Sequence, residues 1–158
     1  MRKLGRWYGL MLGVITLDQF TKWLALSMIA PAEVIYVAPF WNWVLAWNPG
    51  AAFSFLADQS GWQRWFFTVL ALLVCAWGGL ELKRECGRTR YALALVLIMA
   101  GALGNVIDRL RFGAVVDFIQ WHVAGYYWPA FNVADSAITL GAILLVMDQL
   151  TAKPASTL

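Results

Sequence analysis

Four long apolar runs dominate the pattern of hydrophobic and polar positions along the chain. They lie at about residues 10–29, 65–82, 91–110 and 133–150. Each is close to the roughly 20 residues that a helix needs to span about 30 Å of hydrocarbon. The start of the first run also resembles a secretory signal, but no clean small-residue cleavage site follows it. The pattern therefore predicts four retained transmembrane helices.

Two longer segments, 30–64 and 111–132, connect these runs. The first is broken by three prolines and alternates Val, Ile, Tyr and Trp, which predicts short strands with a turn at Asn48-Pro49-Gly50. Strands with unpaired edges cannot lie in hydrocarbon, so we place this segment at the membrane interface, with a short amphipathic helix at 53–59. The second segment, rich in Trp and Tyr, is predicted to be an interfacial loop.

Composition supports a membrane protein. Of the 158 residues, 61% are hydrophobic and 13% are charged, and the mean hydropathy is +0.64. Soluble domains have roughly 45–50% apolar and about 25% charged residues, and a chain this short cannot bury the difference. Ten Trp, nine Phe and five Tyr suit aromatic belts at two interfaces. We predict one integral membrane domain over residues 1–158, all-α apart from the small β-like segment and the short interfacial helix.

The net charge of +3 reflects topology rather than a nucleic-acid partner. Basic residues collect at the N-terminus, in the short loop 83–90 and near the C-terminus, as is typical of cytoplasmic segments. Both termini are therefore predicted to be cytoplasmic, and the two longer segments lie outside. The single histidine, His122, has no thiolate cluster around it, so we expect no metal site and no cofactor.

Two aspartates fall at matching depths in this topology. Asp108 lies about 26 Å along the third helix from Tyr91, at the outer edge of the hydrocarbon, and Asp135 begins the fourth helix. Two carboxylates that meet in a poorly hydrated place share a proton, as in aspartic proteases. The asparagines three residues earlier, Asn105 and Asn132, share a helix face with them and would orient the carboxylates or hold a substrate carbonyl. We predict Asp108 and Asp135 as a catalytic pair.

Simpler roles compete with this interpretation. Asp108 beside Arg109 would also form an ordinary interfacial pair, and Asn132 or Asp135 would also cap a helix. Asp18 and Lys22, one turn apart in the first helix, are favoured as a structural clasp. For Asp117 we expect hydrogen bonds to backbone amides that close an outside turn, with a substrate-facing role left open.

Several motifs occur in one order along the chain: LDQFTK (17–22), NPGAAFSFL (48–56), AGALGNVIDR (100–109), VVDF (115–118) and FNVADSAI (131–138). Together they resemble the bacterial lipoprotein signal peptidases, or type II signal peptidases. Ala100 stands where members of that family often carry glycine.

The resemblance implies an aspartic endopeptidase of the bacterial inner membrane that is sensitive to globomycin. Its reaction would remove the signal peptide from prolipoproteins just before a cysteine that carries diacylglycerol. The implied partners are this substrate and membrane lipids, and we expect the chain to act as a monomer. Asp108 and Asp135 match the expected catalytic pair. The other matched family positions are Asn48, Gly50, Asn105, Arg109, Asn132 and Ala134, and Asp18 matches an aspartate thought to serve stability.

Two alternatives to an enzyme stay open from the residues alone. A proton- or ion-conducting bundle would use Asp18, Lys22, Asp108 and Asp135 as a relay, although transport sites usually lie nearer the midplane in repeat-built folds. A purely structural assembly protein would tolerate loss of both carboxylates. We also hypothesise that segment 34–61 is mobile and closes over bound substrate.

Overall fold

The computed structural model of the chain describes residues 2–50 and 61–151, as four helices and a small sheet. The helices are α1 (Arg2–Met28), α2 (Trp62–Glu85), α3 (Thr89–Phe112) and α4 (Val133–Thr151), and the strands are β1 (Val34–Ala38), β2 (Trp41–Asn48), β3 (Val115–Val123) and β4 (Tyr126–Tyr127). The helix predicted at 53–59 lies outside the described residues, as do residues 51–60 of segment 34–61.

Helix α3 forms the centre of the bundle and packs against α1, α2 and α4. Its contact with α4 is close because small residues face each other there: a Cβ on Gly101 would clash with the Ala134 carbonyl oxygen, and one on Gly141 would lie 2.8 Å from the Ala94 oxygen. Small residues let helix backbones approach in this way in membrane bundles. The α3–α4 pair therefore holds the start of α4 firmly beside the end of α3.

The sheet is antiparallel, with the strand order β1-β2-β3-β4. The strands and the turn predicted within 30–64 are confirmed, and the Gly50 N–H donates to Asn48 Oδ1 at 3.1 Å. The prediction of a loop over 111–132 is wrong, because β3 pairs with β2 along most of its length. That partner lies about 70 residues earlier in the chain, so no local pattern marks the pairing.

A glycine makes the connection from α3 to β3 short. Gly113 ends α3 with φ 82°, and its N–H donates to the Arg109 carbonyl at 3.1 Å. This left-handed conformation is the usual helix stop and favours glycine. The chain turns at once, so β3 begins two residues later and Asp117 returns beside the end of α3.

Among the described residues, the helices α2, α3 and α4 are long and apolar enough to cross a membrane by length and composition. Helix α1 falls outside this set because Asp18, Gln19 and Lys22 interrupt its apolar part. The outward side of α2 carries large exposed apolar side chains, such as Trp65, Leu73 and Leu80. Water would solvate such a surface poorly, whereas lipid suits it. The protein is an integral membrane protein, largely helical, with a small antiparallel sheet.

Candidate active site

Lys22 lies at the centre of a buried polar cluster between α1 and α3. Its Nζ is 3.0 Å from Asp18 Oδ2, 2.8 Å from Asp108 Oδ2 and 3.0 Å from Asn105 Oδ1. The side chains of Asp18, Lys22 and Asp108 are at most 3% exposed. Buried charges are tolerated when they are paired and hydrogen-bonded, and this cluster meets both conditions. The i,i+4 pair expected within α1 is present and extends to α3.

Asp18 also ties α1 to α4. Its Oδ1 accepts a hydrogen bond from the Ala134 backbone N–H at 2.8 Å, so it satisfies one of the free donors at the start of that helix. Gly104 makes this approach possible, since a Cβ there would lie 2.5 Å from Asp18 Oδ2. Gln19, which our sequence reasoning missed, donates to Asp108 Oδ1 at 3.0 Å and to Asp18 Oδ2 at 3.1 Å. The only sequence signal for Gln19 is its place beside Asp18 in LDQFTK.

Asp108 belongs to this cluster and is paired with Lys22, whereas we expected it to meet Asp135. Besides Lys22 and Gln19, it accepts a hydrogen bond from the Val116 backbone N–H at 3.1 Å, which fixes the start of β3. It is 1% exposed. Among the described residues, neither a hydrogen bond nor an ion pair joins it to Asp135. The predicted meeting of these two carboxylates is therefore not a direct contact.

Asn132 and Asp135 cap the start of α4 reciprocally. Asn132 Oδ1 accepts from the Asp135 N–H at 2.9 Å, and Asp135 Oδ2 accepts from the Asn132 N–H at 3.3 Å. This is the geometry of a capping box, with aspartate at its third helical position. The capping role considered for both residues is present. It leaves Asp135 Oδ1 facing Asn105 Nδ2, which donates to it at 2.8 Å.

Asp117 lies on the other side of Asn132. Asn132 Nδ2 donates to Asp117 Oδ1 at 2.6 Å, and Asn48 Nδ2 donates to Asp117 Oδ2 at 3.1 Å. The expectation that Asp117 closes a turn is wrong, because β3 is a paired strand, and the donors to Asp117 among the described residues are the side-chain amides of Asn48 and Asn132. Asn48 reaches Asp117 diagonally across the β2–β3 ladder, where Asn48 pairs with Val115.

Burial and a neighbouring charge act together on Asp117. Burial, and after it the charge of Asp135, raise the pKa of Asp117 from 3.8 to about 7, against the lowering effect of hydrogen bonds from Asn48 and Asn132. Within the part of the chain that the structure describes, neither Asp117 nor Asp135 forms an ion pair. Two such carboxylates near each other favour one shared proton.

Two apolar cavities meet at Asp135. The helix cavity, of about 330 Å³, lies between α2, α3 and α4, and the tryptophan cavity, of about 440 Å³, lies between α4 and the aromatic residues Trp121, Trp128 and Phe131. Asn48, Asp135 and Thr139 line both cavities. An apolar chain that passes from one cavity to the other would therefore pass Asp135.

Arg109 borders the helix cavity from α3. Its Nη2 donates to the Gly50 carbonyl oxygen at 2.9 Å, and its guanidinium lies 5.4 Å above the Phe67 ring. The cation thus holds the turn after β2 against the helices. In the described residues it makes no ion pair with Asp108, its neighbour in sequence, so the ordinary interfacial pair considered above does not form.

No group of three or more His, Cys, Asp or Glu side chains among the described residues has the arrangement of a metal site. His122 stacks on the Tyr127 ring, with 5.3 Å between centroids, at the far end of β3. Among the described residues, the polar side chains that line the two cavities are Asn48, Asn105, Arg109, Asp135, Ser136 and Thr139.

The fold and the site define a class: an integral membrane protein whose apolar helices enclose an acidic site that opens to apolar cavities. The sequence profile of the family Signal peptidase (SPase) II matches residues 10–151. The chain belongs to the signal peptidase II family, whose members are proteases. Family membership leaves the conducting bundle and the purely structural protein without support.

Relatives and solved structures agree with this assignment. The chain is 54% identical over 149 residues to the lipoprotein signal peptidase of Ralstonia nicotianae, covering 92% of this chain and 84% of that one. It is 51% identical over 146 residues to that of an Azoarcus species, covering 92% and 83%. A bacterial membrane enzyme solved by the in meso method at 1.9 Å superimposes with a TM-score of 0.83 at 30% identity, covering 94% of this chain and 95% of that one. A second bacterial membrane enzyme, solved in meso at 2.3 Å, has a TM-score of 0.81 at 31% identity and covers 98% and 95%.

Proposed function

We propose that this protein is an aspartic endopeptidase that removes the signal peptide from diacylglyceryl-modified prolipoproteins, immediately before the lipidated cysteine. The relatives are lipoprotein signal peptidases, and this supplies the substrate class. The observation that carries the catalytic type is the pair Asp117 and Asp135, two carboxylates that bond the same asparagine, Asn132. Of the two, Asp135 lines both apolar cavities.

The catalytic pair proposed here replaces Asp108 with Asp117. Asp108 is neutralised by Lys22 at 2.8 Å and has its oxygens occupied by Gln19 and the Val116 N–H. Those contacts hold α1 and the start of β3 against α3, so we assign Asp108 to holding these elements together rather than to proton transfer. Asp117 has no ion pair within the described residues, and its pKa of about 7 suits proton transfer near neutral pH.

The chemistry follows from a pair that holds one proton. The ionised carboxylate accepts a proton from a water molecule, whose oxygen attacks the scissile carbonyl carbon, while the protonated carboxyl donates its proton to the carbonyl oxygen. The tetrahedral diol then collapses as the carbon–nitrogen bond breaks. The leaving nitrogen takes a proton from the pair, and a diol hydroxyl returns one, so the pair ends with one proton again.

Residues around the pair position the substrate and the carboxylates. Asn105 and Asn132 orient Asp135, while Asn48 orients Asp117 and borders both cavities. Gly50 and Arg109 hold the turn at the mouth of the helix cavity, and Ala134 anchors the start of α4 to Asp18. Asp18 and Lys22 are assigned to holding the helices together.

The membrane arrangement proposed is four crossings, with α1 as the fourth, both termini cytoplasmic and the site near the outer face of the inner membrane. Lys83 and Arg84 lie in the last turn of α2, and Arg88 lies in the loop between α2 and α3. This basic cluster supports a cytoplasmic location for that end of the helices. A lipidated substrate held by its acyl chains would then bring the scissile bond to Asp117 and Asp135 without a bimolecular search. The whole chain would form one domain and act as a monomer.

The test is cleavage of a purified diacylglyceryl-modified prolipoprotein in nanodiscs. Asp117→Asn and Asp135→Asn should each lower kcat by at least about 10³-fold while remaining folded, because each removes a proton-transfer group. Asp148→Asn, the same change on α4 next to Arg88, is the matched control and should keep near-wild-type activity.

Two results would contradict the proposal. An Asp117→Asn variant that cleaves like wild type, beside an inactive Asp108→Asn variant with an unchanged melting temperature, would return the role to Asp108. Equal cleavage of an unlipidated substrate would refute the proposed substrate class.

A further inference from the structure

Lys22 contacts Asn105 in addition to the two aspartates that a structural clasp would need. An ammonium has three N–H donors and no acceptor. In this structure the three acceptors around Nζ are Asp18 Oδ2, Asp108 Oδ2 and Asn105 Oδ1, at 2.8–3.0 Å. The carboxylates of Asp18 and Asp108 already compensate the positive charge of Lys22. The contact with Asn105 is therefore not needed for charge pairing, and its effect is on the orientation of the Asn105 amide.

That third contact fixes which way the Asn105 amide faces. Because Lys22 can only donate, the amide must turn its oxygen toward Lys22 and its NH₂ group away. Asn132 Nδ2, at 3.3 Å from Asn105 Oδ1, is also a donor and favours the same orientation. The NH₂ group then donates to Asp135 Oδ1 at 2.8 Å. A flipped amide would place its oxygen against the Asp135 carboxylate and repel it.

We propose that Lys22 is a positioning residue for catalysis, which fixes the Asn105 amide so that it presents a hydrogen-bond donor to Asp135. This assignment rests on the proposed function, in which Asp135 is one of the two catalytic carboxylates. It adds to the structural clasp between α1 and α3 an influence on Asp135 that passes through Asn105.

Lys22 acts at a distance from the substrate. Its side chain is 3% exposed and lines neither the helix cavity nor the tryptophan cavity as described. Loss of Lys22 should therefore lower kcat and leave KM within about twofold, since KM is unaffected when only an interaction specific to the transition state is lost. A purely structural clasp would instead lower the melting temperature and the folded fraction without changing kcat per folded molecule.

The experiment is a double-mutant cycle on kcat with Lys22→Met and Asn105→Leu, run on the full chain in nanodiscs with the lipidated prolipoprotein. We expect each single variant to lower kcat by roughly 10–100-fold, and Lys22→Met to add less than about threefold in the Asn105→Leu background. Residues that act through one another are non-additive in such cycles. Multiplicative losses in the double variant would overturn the proposal.

Lys22→Met leaves Asp18 and Asp108 without their cation, and a second variant, Asn105→Asp, tests the same link if Lys22→Met does not fold. Asn105→Asp keeps an acceptor for Lys22 but removes the donor to Asp135. We expect it to lower kcat per folded molecule by at least about 100-fold, because a carboxylate oxygen then faces Asp135 in place of the amide donor, and wild-type activity in this variant would overturn the proposal.

Asp135→Asn separates the two proposals in the same assay. If Asp135→Asn cleaves as well as wild type, the proposed function fails and this inference fails with it. If Asp135→Asn is inactive while the Lys22 and Asn105 losses multiply, only the positioning role of Lys22 is overturned.

Discussion

Two asparagine side chains join the acidic residues of the site. Asn105 accepts from Lys22 and donates to Asp135, and Asn132 accepts from the Asp135 N–H and donates to Asp117. An amide can do this because it carries an acceptor and donors on one planar group. In each case the amide oxygen faces a partner that can only donate, either Lys22 Nζ or the Asp135 backbone N–H. The amide NH₂ group therefore points the other way and donates to a carboxylate.

The raised pKa of Asp117 predicts that the free energy of unfolding depends on pH. Its folded pKa of about 7 lies above the ordinary value of 3.8, through burial and the charge of Asp135, while Lys22, Asn48 and Asn132 act in the opposite direction. Between these pH values the folded state binds more protons at this site than the unfolded state. The free energy of unfolding should therefore fall as pH rises from about 4 to about 7.

The measurement is the melting temperature of wild type and Asp117→Asn in detergent between pH 4 and 8. Wild type should lose stability relative to the variant across this range, because asparagine does not titrate. Parallel curves for the two proteins would show that Asp117 titrates near its ordinary value.

At this scale the sequence predicted that the two Asn-x-x-Asp pairs lie at one depth, but it predicted neither their contacts nor the place of Gln19 and Asp117 among them. Depth along a helix follows from residue count, so Asp108, Asp135 and their asparagines were expected at one level. The direction of each side chain depends on helix rotation and on the return of β3, which residue counts do not give. Asp117 had a signal of its own, a carboxylate within the apolar run VVDF, all four residues of which are buried.

Among the secondary-structure elements, hydropathy along the sequence predicted the four helices but did not predict strand β3. An apolar run of about 20 residues predicts a helix locally. Strand β3 depends on β2, on the stop at Gly113 and on the Val116 N–H bond to Asp108. Such a pairing is tertiary, and tertiary context overrides local preference.

The closeness of α1 and α3 gives a prediction about Gly104. Gly104→Ala would place a methyl group 2.5 Å from Asp18 Oδ2 and 3.3 Å from the Ala134 Cβ, in a cluster with no room to shift. We expect a loss of about 1–3 kcal/mol in the free energy of unfolding, the usual cost of overpacking, and a lower cleavage rate.

Gly79→Ala is the matched control, since Gly79 lies in α2 with nothing within 4 Å of an added Cβ. It should be neutral, or more stable by up to about 1 kcal/mol from helix propensity. Thermal melts of both variants test the difference, and equal effects would argue against the close approach at Gly104.

For the molecule as a whole, sidedness in the membrane decides which substrates reach the site. The basic turn between α2 and α3 lies at the opposite end of α3 from Asp108, and the sheet lies at the same end as the acidic residues. If the basic end faces the cytoplasm, the sheet and both cavities face outward.

Labelling with a membrane-impermeant maleimide tests this orientation in spheroplasts with Cys75 replaced by alanine. Cys86, at the end of α2, should react only after the membrane is opened. A Tyr126→Cys variant in a Cys86→Ser background should react in intact spheroplasts, because Tyr126 is 83% exposed at the β3–β4 turn. The reverse pattern would invert the proposed topology.

The polar residues around Asp135 both form the site and hold the helices together, and this has a consequence for inhibitor resistance. Asn132 and Asp18 cap α4, while Lys22 and Asn105 link α1 to that helix start. A substitution that weakened a competitive drug at these positions would also loosen the bundle. Resistant variants should therefore arise along the apolar wall of the helix cavity, at positions such as Leu70, Val74 and Ile138, where a change of shape leaves the helix contacts of the polar cluster intact.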